Sequence, residues 1–376
     1  MSRQLSTPIC DLLGIEHPIL LAGMGGRGAA TPPALVAAVS EAGGMGFIGG
    51  SGLSAEQIRD RIREVRTLTD KPFGVNCLLP ASMDQDAVSD EAQMRERLRR
   101  EYPKHVAFVE ELMQEFGLDP APPRMQLMSP QMIRRQIEVV LEEAPAAFAS
   151  GLGDPSWVIP RAREAGITVL GLVGSVRHAD RQREAGVDVV VAQGFEAGGH
   201  VGRIANFALL PQVIDAVAPL PVVAAGGIAD GRGVAAALAL GATGAWVGTA
   251  FLLAEESGWE PAHQAEIIRG TTEDFVVTRA YTGKTARDYR NPVIARWDES
   301  GLDPLPMPLQ GTLMEPFVAA AETQGRFELV NNPSGQIAGM LTRTRPARDI
   351  VEDLVNGAAE TLAALQGVVV PAASRA

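Results

Sequence analysis

Cysteine is nearly missing from this chain: Cys10 and Cys77 are the only two in 376 residues. Two thiols cannot build a disulfide framework or a cysteine-based zinc centre, and such sparing use fits a reducing compartment. Long apolar runs are missing too, since Gly, Thr or Asp interrupts each one before it reaches membrane-spanning length. The first residues mix Arg3, Gln4 and Asp11 into their apolar neighbours, which is not the pattern of a secretory signal. Basic charge is in deficit, with 33 Lys and Arg against 45 Asp and Glu, a net charge of −12. A surface of that sign disfavours nucleic acid and anionic membranes, while leaving room for a local basic site. Histidine is scarce. His17, His105, His178, His200 and His263 include no i,i+4 pair and no accompanying carboxylate cluster, so no metal site is expected. Nothing marks Ser150 or Ser175 as an activated hydroxyl, so no nucleophile set stands out. The expectation is a cytoplasmic protein acting on small molecules.

What is present is apolar bulk, 46% hydrophobic against 21% charged residues, enough for a full core. Eight short β-type runs alternate with helical segments: Pro18–Gly23, Gly46–Ile48, Phe73–Leu79, Ala147–Leu152, Thr168–Val173, Asp188–Ala192, Val222–Ala225 and Ala245–Gly248. The helical segments commonly end in glycine (Gly43, Gly166, Gly186, Gly241), the residue that stops a helix in the left-handed conformation. Strands apolar on both faces imply a parallel sheet covered by helices. Eight such units with short connections predict an α/β fold, a closed (β/α)8 TIM barrel. The rival is an open doubly wound sheet. Against it, no Gly-x-Gly-x-x-Gly turn follows the first strand; the 22–28 stretch is glycine-rich but wrongly spaced.

Two regions break the repeat. Residues 81–145 form a charged, helical insertion after the third strand, with helices expected over Asp90–Arg100, Pro103–Glu115 and Pro130–Leu141. Sequence leaves three uses for it open: a lid, a contact in a homodimer, or a solvated decoration. Residues 254–345 are expected to form a mainly helical extension beside the barrel mouth. Residues 346–376 close the chain with a helix near Ala347–Leu365 that packs back on the barrel, then a frayed tail. The barrel itself is assigned to residues 1–253.

The chemistry-bearing residues cluster at strand ends. After the sixth strand comes Gln193-Gly194-Phe195-Glu196-Ala197-Gly198-Gly199-His200, a glycine turn with the one histidine placed beyond a strand. Such a histidine is a plausible acid–base group, and Glu196 is expected to anchor the turn. Two more glycine turns, Ala225-Gly226-Gly227 and Gly248-Thr249, follow the seventh and eighth strands. Barrel enzymes often hold a phosphate there with backbone N–H groups and a helix N-terminus. Asn76 interrupts the third strand and Gln193 ends the sixth; each either contacts a heteroaromatic ligand or satisfies nearby backbone. His17 reads as structural, and His105, His178 and His263 as surface residues. Cys77 reads as packing. The reaction chemistry is therefore expected to come from a cofactor.

These residues resemble a known family. Pro18–Met24, the glycine-rich 42–46 turn, Lys71–Asn76, Gln193–Gly202, Pro221–Gly231 and Gly241–Thr249 are similar, in order and spacing, to the FMN-dependent nitronate monooxygenases. A looser echo runs through Thr282–Arg287. The resemblance implies FMN, its phosphate on Ala225, Gly226, Gly227, Gly248 and Thr249. It places the isoalloxazine near Ala22, Gly23, Met24, Asn76, Leu172, Gln193, Gly198 and Gly199. It makes His200 the catalytic base, in an oxidation of alkyl nitronates by O2 to a carbonyl compound and nitrite. The same motifs occur in FMN-dependent enoyl-acyl-carrier-protein reductases and NADH:quinone reductases. The alternatives are thus an NAD(P)H-driven reductase for an enoyl thioester or quinone, and a non-catalytic flavin-binding protein. Tyr281 has no role assignable from sequence.

Overall fold

The computed structural model describes residues 5–26, 30–79, 91–123 and 129–368. Gly28, the start of the insertion and the expected frayed tail from 369 onward lie outside the described residues. Eleven strands are described: β1 (Ile19–Leu21), β2 (Gly46–Gly49), β3 (Phe73–Leu78), β4 (Ala147–Gly151), β5 (Thr168–Val173), β6 (Val189–Gln193), β7 (Gly199–His200), β8 (Val222–Ala225), β9 (Gly244–Val247), β10 (Phe275–Thr278) and β11 (Ala286–Tyr289).

Eight of them form one parallel sheet in the order β1-β9-β8-β6-β5-β4-β3-β2. The two ends meet. The Leu21 amide donates to the Met45 carbonyl and the Met45 amide to the Ile19 carbonyl, each at 2.9 Å, which closes the cylinder. The TIM barrel expected from the alternating pattern is therefore the fold, with all eight strands where the apolar runs stand.

Side chains alternate across each strand, so most of the barrel strands feed two cores. Leu20, Met45, Phe47, Ala149, Leu170, Val191, Val223 and Trp246 belong to the inner core, with the Phe47 and Trp246 rings 4.6 Å apart. The same core takes in Ile9, Cys10, Leu13 and Ile15, so the short helix Pro8–Leu13, which the strand pattern did not signal, packs with the barrel interior. The outer core lies between strands and helices and includes Ile19, Leu21, Val75, Phe148, Val190 and Ala224. The C-terminal helix, Ala347–Leu365, joins this outer core through Ile350, Val351 and Leu354. It approaches the helix Gly231–Ala239 so closely that a side chain at Gly231 would strike the backbone of Gly357 and Ala358.

The insertion and the extension share a third core. Phe108, Val109 and Leu112 of the helix Pro103–Glu115 pack with Val293, Trp297, Leu313 and Phe317 of the extension. The Phe108 and Trp297 rings meet edge-on at 4.9 Å, and Arg296 pairs with Glu115 at 3.0 Å. Two segments far apart in sequence thus form one helical layer. The extension also contains a hairpin that helical periodicity did not reveal. β10 pairs antiparallel with β11, and β11 pairs with β7, placing Ala286 opposite His200. Each of these strands has four residues or fewer, too short for alternation to be read before the partner strand is known.

Candidate active site at the barrel mouth

The C-terminal ends of the parallel strands carry the residues singled out in the sequence. At the end of β1, the Ala22 amide donates to the Val247 carbonyl at 2.8 Å, drawing 22–24 against the end of β9. Asn76 on β3 donates Nδ2 to the Gly23 carbonyl at 2.8 Å. Its Oδ1 is buried without a partner among the described residues. A Cβ on Gly23 would lie 2.5 Å from the Asn76 Cβ, so glycine lets these strand ends approach. The bare backbone of Gly248 is different. A Cβ there would sit 3.5 Å from Ala22 Cβ and Met24 Sδ, an ordinary contact, so the space beside it is not demanded by the protein's own packing.

The turns after β6 and β8 are tied together. Gln193 pairs in register with Ala225, and its Nε2 donates to the His200 carbonyl at 2.6 Å. Glu196 accepts the Asn206 amide at 3.1 Å, the anchoring role expected of it. Asn206 Nδ2 in turn donates to the carbonyls of Ala225 at 2.9 Å and Gly226 at 2.6 Å. Gly226 and Gly227 have φ of +93° and +71°, where a side chain is strained, and a Cβ on Gly226 would come within 2.9 Å of the Ala197 Cβ. The following helix, Gly231–Ala239, is capped by Asp230, which accepts from the Arg232 and Gly233 amides at 2.9 and 3.2 Å. The Arg232 and Gly233 amides at the start of this helix are therefore already satisfied. Leu172 on β5 is half-buried and packs against the inner core.

The extension adds to the site a non-helical segment within a region that the sequence predicts to be mainly helical. Thr249 Oγ1 accepts the Gly335 amide at 3.0 Å, and the Gln336 amide donates to the Glu196 carbonyl at 3.0 Å. A Cβ on Gly198 would come within 2.6 Å of the Ser334 backbone. Gly198 thus makes room for this loop, and Gly199, at φ +68°, turns the chain into β7. The loop is held from behind by Asn332, which donates to the His263 carbonyl at 3.0 Å and Glu266 at 2.9 Å and accepts from Trp259 at 3.0 Å. His263, expected at the surface, is buried, its Nε2 3.0 Å from the Phe327 carbonyl. The reason is tertiary: the Phe327 and Asn332 segments fold back onto it, beside the Trp259 ring.

His200 is fixed from two sides. Its backbone pairs with β11, and its Nε2 lies 3.2 Å from Thr282 Oγ1. Thr282 is itself held by the Lys284 carbonyl at 3.1 Å and amide at 3.3 Å. Burial, aided by the nearby Lys284 ammonium, pushes the His200 pKa down to about 4, so the imidazole is neutral near pH 7. Arg287 of β11 stacks on the Phe195 ring at 4.6 Å and donates to the carbonyls of Phe195 at 2.9 Å and Phe275 at 2.7 Å. It is a clamp between hairpin and histidine turn. Cys77 is buried, and burial drives its thiol up to about 12, consistent with packing alone. Among the described residues no group of three or more His, Cys, Asp or Glu is arranged for a metal, and no helix is long and apolar enough to cross a membrane.

Tyr281 receives a role here. Its hydroxyl donates to the Leu329 carbonyl and accepts from Asn291 Nδ2, both at 2.8 Å, inside the third core. Tyr281→Phe therefore leaves the Leu329 carbonyl without this donor. We expect a loss of about 1–3 kcal/mol in unfolding free energy with kcat unchanged in the folded enzyme. Thermal and denaturant unfolding beside steady-state assays check this; a fall in kcat at unchanged stability would refute it.

Comparison with known proteins agrees with this fold. The family model for nitronate monooxygenase matches residues 6–357. A Staphylococcus aureus protein named "Probable nitronate monooxygenase" is 35% identical over 93% of this chain and 96% of its own. The structure of nitroalkane oxidase from Streptomyces ansochromogenes superposes with a TM-score of 0.80 at 32% identity, covering 95% of this chain and 99% of that one. FabK from Thermotoga maritima superposes at 0.77 with 34% identity over 97% of this chain and all of that one. The chain belongs to the nitronate monooxygenase family, a family of flavin-dependent oxidoreductases.

Proposed function

We propose that the protein binds FMN and uses O2 to oxidise alkyl nitronates, releasing a carbonyl compound and nitrite, with His200 as the base toward neutral nitroalkanes. The observation that carries this reading is a neutral, doubly tethered imidazole next to a polar and glycine-lined mouth. The residues present fit a flavin. Asn76 Oδ1 is a buried acceptor awaiting a donor, and a heteroaromatic ring N–H supplies one. Gly226, Gly227, Gly248 and Thr249, beside Ala225, would hold the phosphate. Ala22, Gly23, Met24, Asn76, Leu172, Gln193, Gly198 and Gly199 would surround the ring system. When bound, FMN supplies the electron-transfer chemistry with nitronate and O2.

The chain's own residues handle the proton. Neutral His200 accepts it from the carbon bearing the nitro group, while Thr282 and the Gln193 bond to the backbone hold the ring in place. The test is anaerobic mixing of the yellow protein with a preformed nitronate, with NADH and with NADPH. Flavin reduction by nitronate, followed by O2-dependent turnover, supports the reading. Prompt bleaching by a nicotinamide without any response to nitronate would replace it with the reductase alternative.

A pH profile follows from the histidine's environment. A base must be unprotonated, so kcat/KM for a neutral nitroalkane should stay level through neutral pH. It should fall by about tenfold per unit only below about pH 4. A fall beginning near the ordinary histidine value of about 6.5 would show that His200 is far less desolvated than this.

A further inference from the structure

Among the described residues Lys284 is a cation without a counter-ion. Its ammonium has no hydrogen-bond or ion-pair partner among the described residues, although it is half-buried in a chain carrying 45 acids to 33 bases. The surrounding structure fixes its backbone. The Thr282 hydroxyl bonds both the carbonyl and the amide of Lys284. Gly283 turns the chain at φ +77°, with Leu305 and Met307 backbone against it. The Val201 amide donates to the Thr285 carbonyl at 3.1 Å, and Ala286 stands opposite His200. The hairpin is thus zipped to the histidine strand over these residues.

From there the ammonium acts on both nearby imidazoles, opposing protonation of His200 and of His178 on the helix Val176–Ala185. Arg177 and Arg181 of that helix add further positive charge around His178. The carboxylate in the His200 turn, Glu196, is engaged by the Asn206 amide. An unneutralised, partly desolvated cation is costly to hold, and no anion among the described residues offsets that cost.

We infer that Lys284 binds the anionic oxygens of the substrate beside His200, which makes it a substrate-anchoring residue for nitronates. The inference deepens the proposed function and rests on it. Its chemistry complements the base. As a nitroalkane loses its proton to His200, negative charge develops on the nitro oxygens, and an ammonium carried by this tethered turn stabilises that charge where it forms. A preformed nitronate brings the charge with it and is bound by the same group. In the free site burial first and then the ammonium disfavour imidazolium; an anion against Lys284 offsets the second of these. Substrates with a charged or charge-developing oxyanion are therefore selected over neutral isosteres.

The test compares wild type, Lys284→Met and Lys284→Arg, all loaded with FMN, with sodium nitrite as the anion probe. We expect Lys284→Met to weaken nitrite binding and raise the nitronate KM about ten- to a hundredfold, the range for loss of one charge-assisted hydrogen bond. Flavin content should be unchanged, and Lys284→Arg should restore most of the affinity. The His200 imidazole, followed by NMR, should titrate at higher pH in Lys284→Met than in wild type. Unchanged nitrite affinity and KM in Lys284→Met would overturn the assignment. So would a parallel loss of flavin, which would place Lys284 on the cofactor. The two proposals fail separately. Lysine-dependent nitrite binding without nitronate turnover would retain the anion site and remove the nitronate reading. Turnover indifferent to Lys284 would do the reverse.

Discussion

His200→Asn should keep its flavin and lose roughly 10²–10⁴ in turnover of a neutral nitroalkane, the usual contribution of a positioned general base. Turnover of the matching preformed nitronate should fall far less, because that substrate has already lost its proton. The contrast matters more than either number. Asparagine preserves the backbone bonds that hold this position, the Gln193 contact to the His200 carbonyl and the pairing with β11. The turn should therefore persist while the proton acceptor is gone. Steady-state rates with both substrates, normalised to bound flavin, provide the measurement. Equal losses on the two would mean that the imidazole shapes or orders the site instead of taking a proton.

Gly226→Asp should abolish FMN retention. Three effects act together at this position. The φ of +93° is one that a side chain rarely adopts, at a cost of order 1–3 kcal/mol. The new Cβ would press on Ala197, 2.9 Å away. A carboxylate would then stand at the proposed phosphate site, where like charges repel. Gly226→Ala separates the causes, since it carries the strain without the charge and should retain part of the flavin. The ratio of flavin to protein absorbance, with circular dichroism to show that each variant is folded, decides the matter. Full flavin content in folded Gly226→Asp would move the phosphate elsewhere.

The barrel was readable from sequence because its signal is local and repeated. Each parallel strand is buried on both faces, so it appears as an uninterrupted apolar run such as Val189-Val190-Val191-Ala192, and glycine ends the helix before it. The turns after β6, β8 and β9 were readable for the same reason, since glycines directly after an apolar strand announce a backbone that something approaches. The hairpin β10–β11 was not readable. Its strands are short, and β11 buries the charged Arg287 and Asp288, which reads as surface until their partners are known. His263 misled for a similar reason: its helix looks solvated, but the loop carrying Asn332 comes from a region about seventy residues later and covers it.

The sequence by itself determined the barrel, the order of its strands along the chain and the ring of glycines, amides and one histidine at their C-terminal ends. All of these depend on periodicity and turn chemistry within a few residues. Only the tertiary structure decided what surrounds that ring. It brought Thr282 and Lys284 to His200, set the Ser334–Gly335 loop against Gly198 and Thr249, and joined the insertion to the extension in one core. These contacts join segments more than eighty residues apart. Their energy comes from burial and hydrogen bonds that exist only once the chain has closed, so no local pattern records them.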